Sequence, residues 1–155
     1  MQTRSRSHKG YSPNDSLFTP PEIFEALGTT FDVDVCAPSG GLAWIPANEF
    51  IDESKDGLAS EWRGVVWMNP PYSNPTPWVE KWINHGNGYA LVPFTRANWF
   101  IKLWDSGAVV QCLHSSIQFI TAEGKRQGIF MPVSLWGIGD EPIRVLQNSP
   151  IGKVR

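Results

Sequence analysis

Long apolar runs are missing from this chain. No stretch approaches the ~20 apolar residues of a membrane span, and no apolar signal-type segment follows Met1. A soluble, cytosolic protein with no membrane partner is expected. Cysteine is scarce as well. Cys36 and Cys112 sit in apolar surroundings with no CxxC spacing, so they read as reduced core thiols. Neither a zinc site nor a disulfide framework fits, and no metal is expected. Charge of one sign is also lacking, with 13 Lys+Arg against 15 Asp+Glu. What is there excludes a disordered chain: 41% of residues are apolar and 12% aromatic. A length of 155 residues suits one domain, and no repeat or linker interrupts it.

The near-neutral total hides three blocks. Residues 1–14 carry Arg4, Arg6 and Lys9 and no acid; residues 15–95 are strongly acidic; residues 96–155 are again basic. The Ser-rich basic start reads as a flexible arm over 1–14 ahead of one folded domain over 15–155. Such an arm is either a solvated tail or a phosphate contact. An acidic middle would repel a polyanion, so nucleic acid must approach the side of the arm and the C-terminal half. Eight tryptophans serve either as core filler or as stacking surfaces, and composition does not choose.

Thr19-Pro20-Pro21 is a helix start, with Thr able to cap and Glu22 and Glu25 favouring the positive end. The helix over 22–27 is closed by Gly28. Phe31–Cys36 alternates as a strand and ends in Ala37-Pro38-Ser39-Gly40-Gly41. A short strand is expected near Ala43–Ile45 and a helical turn over Leu58–Trp62. Val65–Met68 reads as a buried strand that stops at Asn69-Pro70-Pro71-Tyr72. Pro77–His85 is an amphipathic helix closed by Gly86. Tyr89–Pro93 and Ala108–Leu113 are strands, with a helix over Asn98–Trp104 between them. Ile117–Thr121 and Ile129–Phe130 suggest a hairpin around Gly124-Lys125-Arg126, and Val133–Ile138 is the last strand. Alternating strands and helices mean an α/β fold with a largely parallel sheet, in which ligands bind at the carboxyl ends of strands. Asp34 and Asn69 fall at such ends.

Asn69-Pro70-Pro71-Tyr72 is the sharpest chemical signal. Two prolines remove two backbone donors and stiffen the chain, leaving the Pro70 carbonyl free and rigid. Asn69 adds an amide oxygen beside it. Two fixed acceptors suit an NH2 group, and the Tyr72 ring suits a flat substrate. A conjugated amine is a poor nucleophile. Accepting both of its N–H bonds helps the nitrogen become tetrahedral and stabilises the charge that develops on it. An ordinary turn is the bland alternative, which the preceding strand weighs against.

Over residues 15–140 the sequence resembles the phage-type DNA N6-adenine methyltransferases of the Dam family, which use S-adenosylmethionine. The resemblance is carried by Thr19-Pro20-Pro21-Glu22-Ile23-Phe24, by Phe31–Pro38, and by Asp56-Gly57-Leu58 with Trp62. It continues through Val66–Tyr72, Gly86–Pro93 and Trp99-Phe100. It implies a Rossmann-like S-adenosylmethionine-dependent methyltransferase fold, a compact single sheet flanked by helices. The catalytic motif maps onto Asn69, Pro70, Pro71 and Tyr72. Asp34 would meet the methionine ammonium, and the turn of Cys36 and Ala37 would pass its methionine end. Thr19 and Pro20 would close over the methionine part, and Asp56 would contact the adenine or ribose. The usual Gly-x-Gly turn is replaced by Ala37–Gly41. Glu49, Asp52 and Glu53 are the nearest choices for the acid that holds the ribose. The resemblance also implies a phage or prophage origin, action in a bacterial host cell, and a role in modifying DNA, as against restriction.

In the expected mechanism the target adenine leaves the stack, at a cost of about a few kcal/mol, and stacks on Tyr72. Asn69 and the Pro70 carbonyl hold N6 in line with the methyl group. No catalytic histidine is required. Arg4, Arg6, Lys9, Arg96, Lys125 and Arg126 are the candidate DNA contacts, and Arg96 is better placed than the hairpin tip of Lys125 and Arg126. Alternatives are methylation of an RNA adenine or a protein glutamine amide on the same fold, or a non-catalytic nucleic-acid-binding module. A Trp-rich carbohydrate binder would need a β-sandwich, which the alternating helices oppose.

Overall fold

The computed structural model describes residues 17–114, 116–128, 132–149 and 151–154. The expected basic arm, with Arg4, Arg6 and Lys9, lies outside the described residues, as do Ile129 and Phe130.

Among the described residues nine short strands and four α-helices follow one another along the chain. They are α1 (Pro21–Leu27), β1 (Phe31–Asp34), β2 (Ala47–Phe50), β3 (Val66–Met68), α2 (Thr76–His85), β4 (Gly88–Pro93) and α3 (Asn98–Asp105). Then follow β5 (Val109–Leu113), β6 (Phe119–Ile120), β7 (Arg126–Gln127), β8 (Val133–Ile138), α4 (Asp140–Asn148) and β9 (Gly152–Val154). Seven strands form one sheet in the order β2-β1-β3-β4-β8-β5-β9, while β6 and β7 form a separate hairpin. The pairings of β2, β1, β3 and β4 are parallel; those of β8 with β4 and β5, and of β9 with β5, are antiparallel. The carboxyl ends of β1, β3 and β4 therefore share one edge.

Period-two alternation sorts side chains onto two cores. Val66, Met68, Ala90 and Val92 face one cluster with Val79 and Trp82 of α2 and Trp99, Phe100 and Leu103 of α3. Trp67, Tyr89 and Leu91 face the other, with Ile23, Phe24 and Leu27 of α1 and Leu146 of α4. The tryptophans are mainly core. Trp67, Trp82 and Trp136 are fully enclosed, and Trp62 and Trp99 nearly so. The Trp82 indole N–H donates to Tyr89 O and that of Trp136 to Ser134 Oγ, which satisfies these buried donors.

Several expectations need correction. The second strand lies at Ala47–Phe50, not near Ala43–Ile45. It is a mostly exposed edge strand, so no apolar alternation announces it. The first strand ends at Asp34 rather than Cys36. It is also bulged: Asp32 N and Val33 N both donate to Val65 O, and Phe31 and Val33 join opposite cores. Strict alternation would treat Asp32 and Asp34 alike, yet Asp32 is exposed and Asp34 buried. The hairpin has its second strand at Arg126–Gln127. Val133–Ile138 is not the last strand, since α4 and β9 follow it. Helix α4 starts with acids and an early proline, Asp140-Glu141-Pro142, the same kind of signal as at α1. Neither thiol is core: Cys36 is half-buried and Cys112 exposed.

Candidate active site

Three segments converge at the carboxyl edge of β1, β3 and β4. In the β1–β3 register Asp34 sits opposite Trp67, two residues before Asn69, which directly follows β3. Thr19 precedes α1 and is 1% exposed. Its hydroxyl was expected to cap α1. No side chain caps that helix; instead Thr19 Oγ1 accepts a hydrogen bond from Asn69 Nδ2 at 3.3 Å. The Thr19 carbonyl accepts from Trp44 Nε1 at 2.8 Å. Fifty residues of sequence separate Thr19 and Asn69, and the fold joins them.

The tetrapeptide is held at both ends. With Nδ2 spent on Thr19, Asn69 has Oδ1 as its remaining acceptor. Among the described residues no hydrogen bond ends on the Pro70 carbonyl, while the Pro71 carbonyl accepts from Asn74 N. Tyr72 is half-buried, and its hydroxyl donates to Leu91 O of β4 at 3.2 Å. The ring is thereby tied to the neighbouring strand.

Asp34 is 2% exposed. Its Oδ1 accepts from Cys36 N at 3.3 Å, and its carbonyl accepts from Ile51 N. Burial outweighs that one hydrogen bond and pushes the carboxyl up to about 7. The turn after it is stitched to the segment after β2: Ala37 N donates to Ile51 O, and Gly40 N to Asp52 Oδ2 at 3.3 Å. The Ser54 hydroxyl, and after it the Gly40 N–H, hold the Asp52 carboxyl below the usual range. Of the acids the sequence offers here, Asp52 is fastened to the turn through Gly40 N. Glu49 pairs with Arg63 at 2.8 Å, with both side chains exposed.

Asp56 is exposed and has a left-handed backbone, φ 51°. Its Oδ1 accepts from Leu58 N at 3.1 Å and Ala59 N at 3.4 Å, so the carboxyl shapes its own turn. Arg96 is exposed three residues after β4 on the same edge, and none of the ion pairs among the described residues involves it. Arg126 is engaged elsewhere. Its guanidinium grips both Glu22 oxygens at 2.8 and 2.6 Å, tying the hairpin to α1. That pairing draws the Glu22 carboxyl down and the Arg126 guanidinium up. Lys125 lies exposed at the hairpin tip. Lys81, which the sequence reading passed over as one residue of an amphipathic helix, is bound by three loop carbonyls.

One cavity of about 330 Å³ lies elsewhere. Asp32, Val33, Asn48, Glu49, Arg63 and Gly64 line it, towards the amino end of β3 and away from Asn69. It brings no motif residue together.

The family described as DNA N-6-adenine-methyltransferase (Dam) matches residues 6–129. That span takes in Thr19, Asp34, the tetrapeptide and Arg96. A protein of Haemophilus phage HP1 (strain HP1c1), named DNA N-6-adenine-methyltransferase, is 35% identical over 135 residues. The alignment covers 79% of this chain and 75% of that protein. No solved structure matches the chain.

Proposed function

The chain belongs to the DNA N-6-adenine-methyltransferase (Dam) family, and from that premise we propose how its own residues carry the reaction. The activity is transfer of a methyl group to the N6 amine of adenine in DNA. The donor in this reading is S-adenosylmethionine. When bound, it supplies an activated methyl group on a sulfonium.

The residues at the edge suit such a donor. Asp34 is a carboxyl that burial pushes up to about 7, and an ammonium beside it would return it to the charged form. Cys36 and Ala37 form the turn that follows, and Asp52 braces that turn. Thr19 and Pro20 border the same edge from the α1 side. Asp56 contributes by shaping the neighbouring loop.

The observation that carries the reading is the acceptor pair. Asn69 Oδ1 and the Pro70 carbonyl belong to consecutive residues of a proline-stiffened turn, and Thr19 holds the Asn69 amide. Both oxygens accept the N6 protons and draw the nitrogen towards tetrahedral geometry, which stabilises the transition state more than the ground state. Tyr72 packs its tied ring against the flipped adenine, offsetting part of the unstacking cost. No general base is required, because the N6 proton becomes acidic once nitrogen is alkylated. DNA approaches from the Arg96 side, away from the acids around β1 and β2, with Arg4, Arg6, Lys9 and Lys125 as further phosphate contacts. The phage source of the relative supports action in the cytoplasm of a bacterial host.

The test offers tritiated S-adenosylmethionine with DNA, RNA and protein side by side. Label on adenine N6 of DNA is expected. Label on protein or RNA alone would overturn the assignment.

A further inference from the structure

Lys81 lies on α2, which begins four residues after Tyr72. It is half-buried, and its partners are unusual for a lysine. The ammonium donates to Leu58 O at 2.8 Å, to Gly57 O at 3.4 Å and to Ser60 O. It also sits 4.9 Å from the centre of the Trp62 ring. No ion pair among the described residues includes it. An ammonium has three donors and can gather three carbonyls that would otherwise repel one another.

The loop so gathered is pressed against the donor side of the site. A Cβ on Gly57 would lie 2.1 Å from Val35 O and 2.8 Å from Trp78, so the backbone there has no room for a side chain. Val35 directly follows Asp34. Trp62 Nε1 donates to the same Gly57 carbonyl at 2.8 Å, and Ser60 Oγ closes the loop on Asp56 O at 2.8 Å. A continuous path of contacts therefore runs from Lys81 through Gly57 to Val35 and the Asp34 turn.

We propose that Lys81 is a positioning residue for methyl-donor binding, its ammonium locking the 56–60 loop against the turn after Asp34. This rests on the reading above that Asp34 and its turn hold S-adenosylmethionine. The helix after the acceptor motif thereby sets the shape of the donor cradle. Donor and acceptor halves are registered through one side chain.

The experiment measures the donor dissociation constant, donor KM, DNA KM and kcat for wild type, Lys81→Met and Lys81→Arg. Lys81→Met keeps the stem over Trp62 and removes the three donors. It is expected to raise donor KM and Kd about tenfold, the size of losing charge-assisted bonds, with DNA KM within about twofold. Lys81→Arg, which keeps the charge, is expected to recover most of that loss. A purely structural lysine would lower thermal stability and leave donor KM unchanged, and that result overturns the proposal. Lys81→Gln carries the same two outcomes if Lys81→Met does not fold. Wild type that takes up no S-adenosylmethionine overturns the parent reading together with this one. Wild type that binds it no better than Lys81→Met overturns this one alone.

Discussion

The acceptor segment, residues 69–72, and the donor cradle, residues 34–41 with 51–60, meet at one sheet edge but are built differently. The acceptor segment is stiff by covalent structure, since two prolines fix the backbone and two side-chain bonds, to Thr19 and Leu91, set its ends. The cradle has no such stiffness of its own. It is a glycine-containing turn held by bonds from Ile51, Asp52 and the loop beyond, which Lys81 fastens to α2. Rigidity in the first is written in four consecutive residues. In the second it is distributed over contacts between distant segments.

This contrast can be broken at its strongest point first. Asn69→Ala removes one of the two acceptors and is expected to slow methyl transfer about a hundredfold or more, with donor affinity little changed. Steady-state transfer and calorimetric donor binding measure the two separately. Loss of donor binding instead would mean the halves are not separable.

Asp34→Asn probes the cradle. Donor KM is expected to rise about tenfold at pH 8, through loss of a charge-assisted bond, while kcat changes less. The sign with pH follows from a folded pKa of about 7 against the ordinary carboxyl value of 3.8. The folded protein binds more protons in that window, so the free protein loses stability as pH rises towards 7. Donor affinity should rise over the same range, because the charged form is the one that binds a cation. Asp34→Asn should flatten both trends and raise the melting temperature of the free protein above pH 7. Unchanged profiles in that variant would contradict the assignment.

Tyr72 separates ring from hydroxyl. Tyr72→Ala should lower kcat/KM about tenfold by losing the stacking face. Tyr72→Phe loses the hydroxyl bond to Leu91 O and should stay within about threefold. Equal losses would place the effect in the hydroxyl.

The smallest effects distinguish two arginines. Arg96→Ala is expected to raise DNA KM a few-fold and reduce its salt dependence. Arg126→Ala breaks an exposed, solvent-screened pair with Glu22 and should leave DNA KM unchanged. Thermal unfolding and a salt series of KM read the pair; the reverse ranking would move the DNA path to the hairpin.

How far the sequence was legible follows the same division. Buried central strands such as 66–68 and 88–93 announce themselves because both faces are apolar. The acceptor motif was legible because its chemistry is local. The edge strand Ala47–Phe50 was not, since it is mostly exposed and carries no pattern. The bulge in β1, which separates Asp34 from Asp32, depends on Val65 of another strand. The role of Thr19 was misread as capping because its partner lies fifty residues away. Lys81 carries no local signal, as its ligands are backbone carbonyls of a distant loop.

The central claim concerns oxygen acceptors, and single-turnover methyl transfer by Asn69→Asp beside Asn69→Ala tests it most directly. Aspartate keeps an oxygen where the amide oxygen stood. The account predicts that Asn69→Asp stays within about tenfold of wild type and at least about tenfold above Asn69→Ala, with donor and DNA both saturating. Two variants equally slow, or Asn69→Ala as fast as wild type, would contradict it.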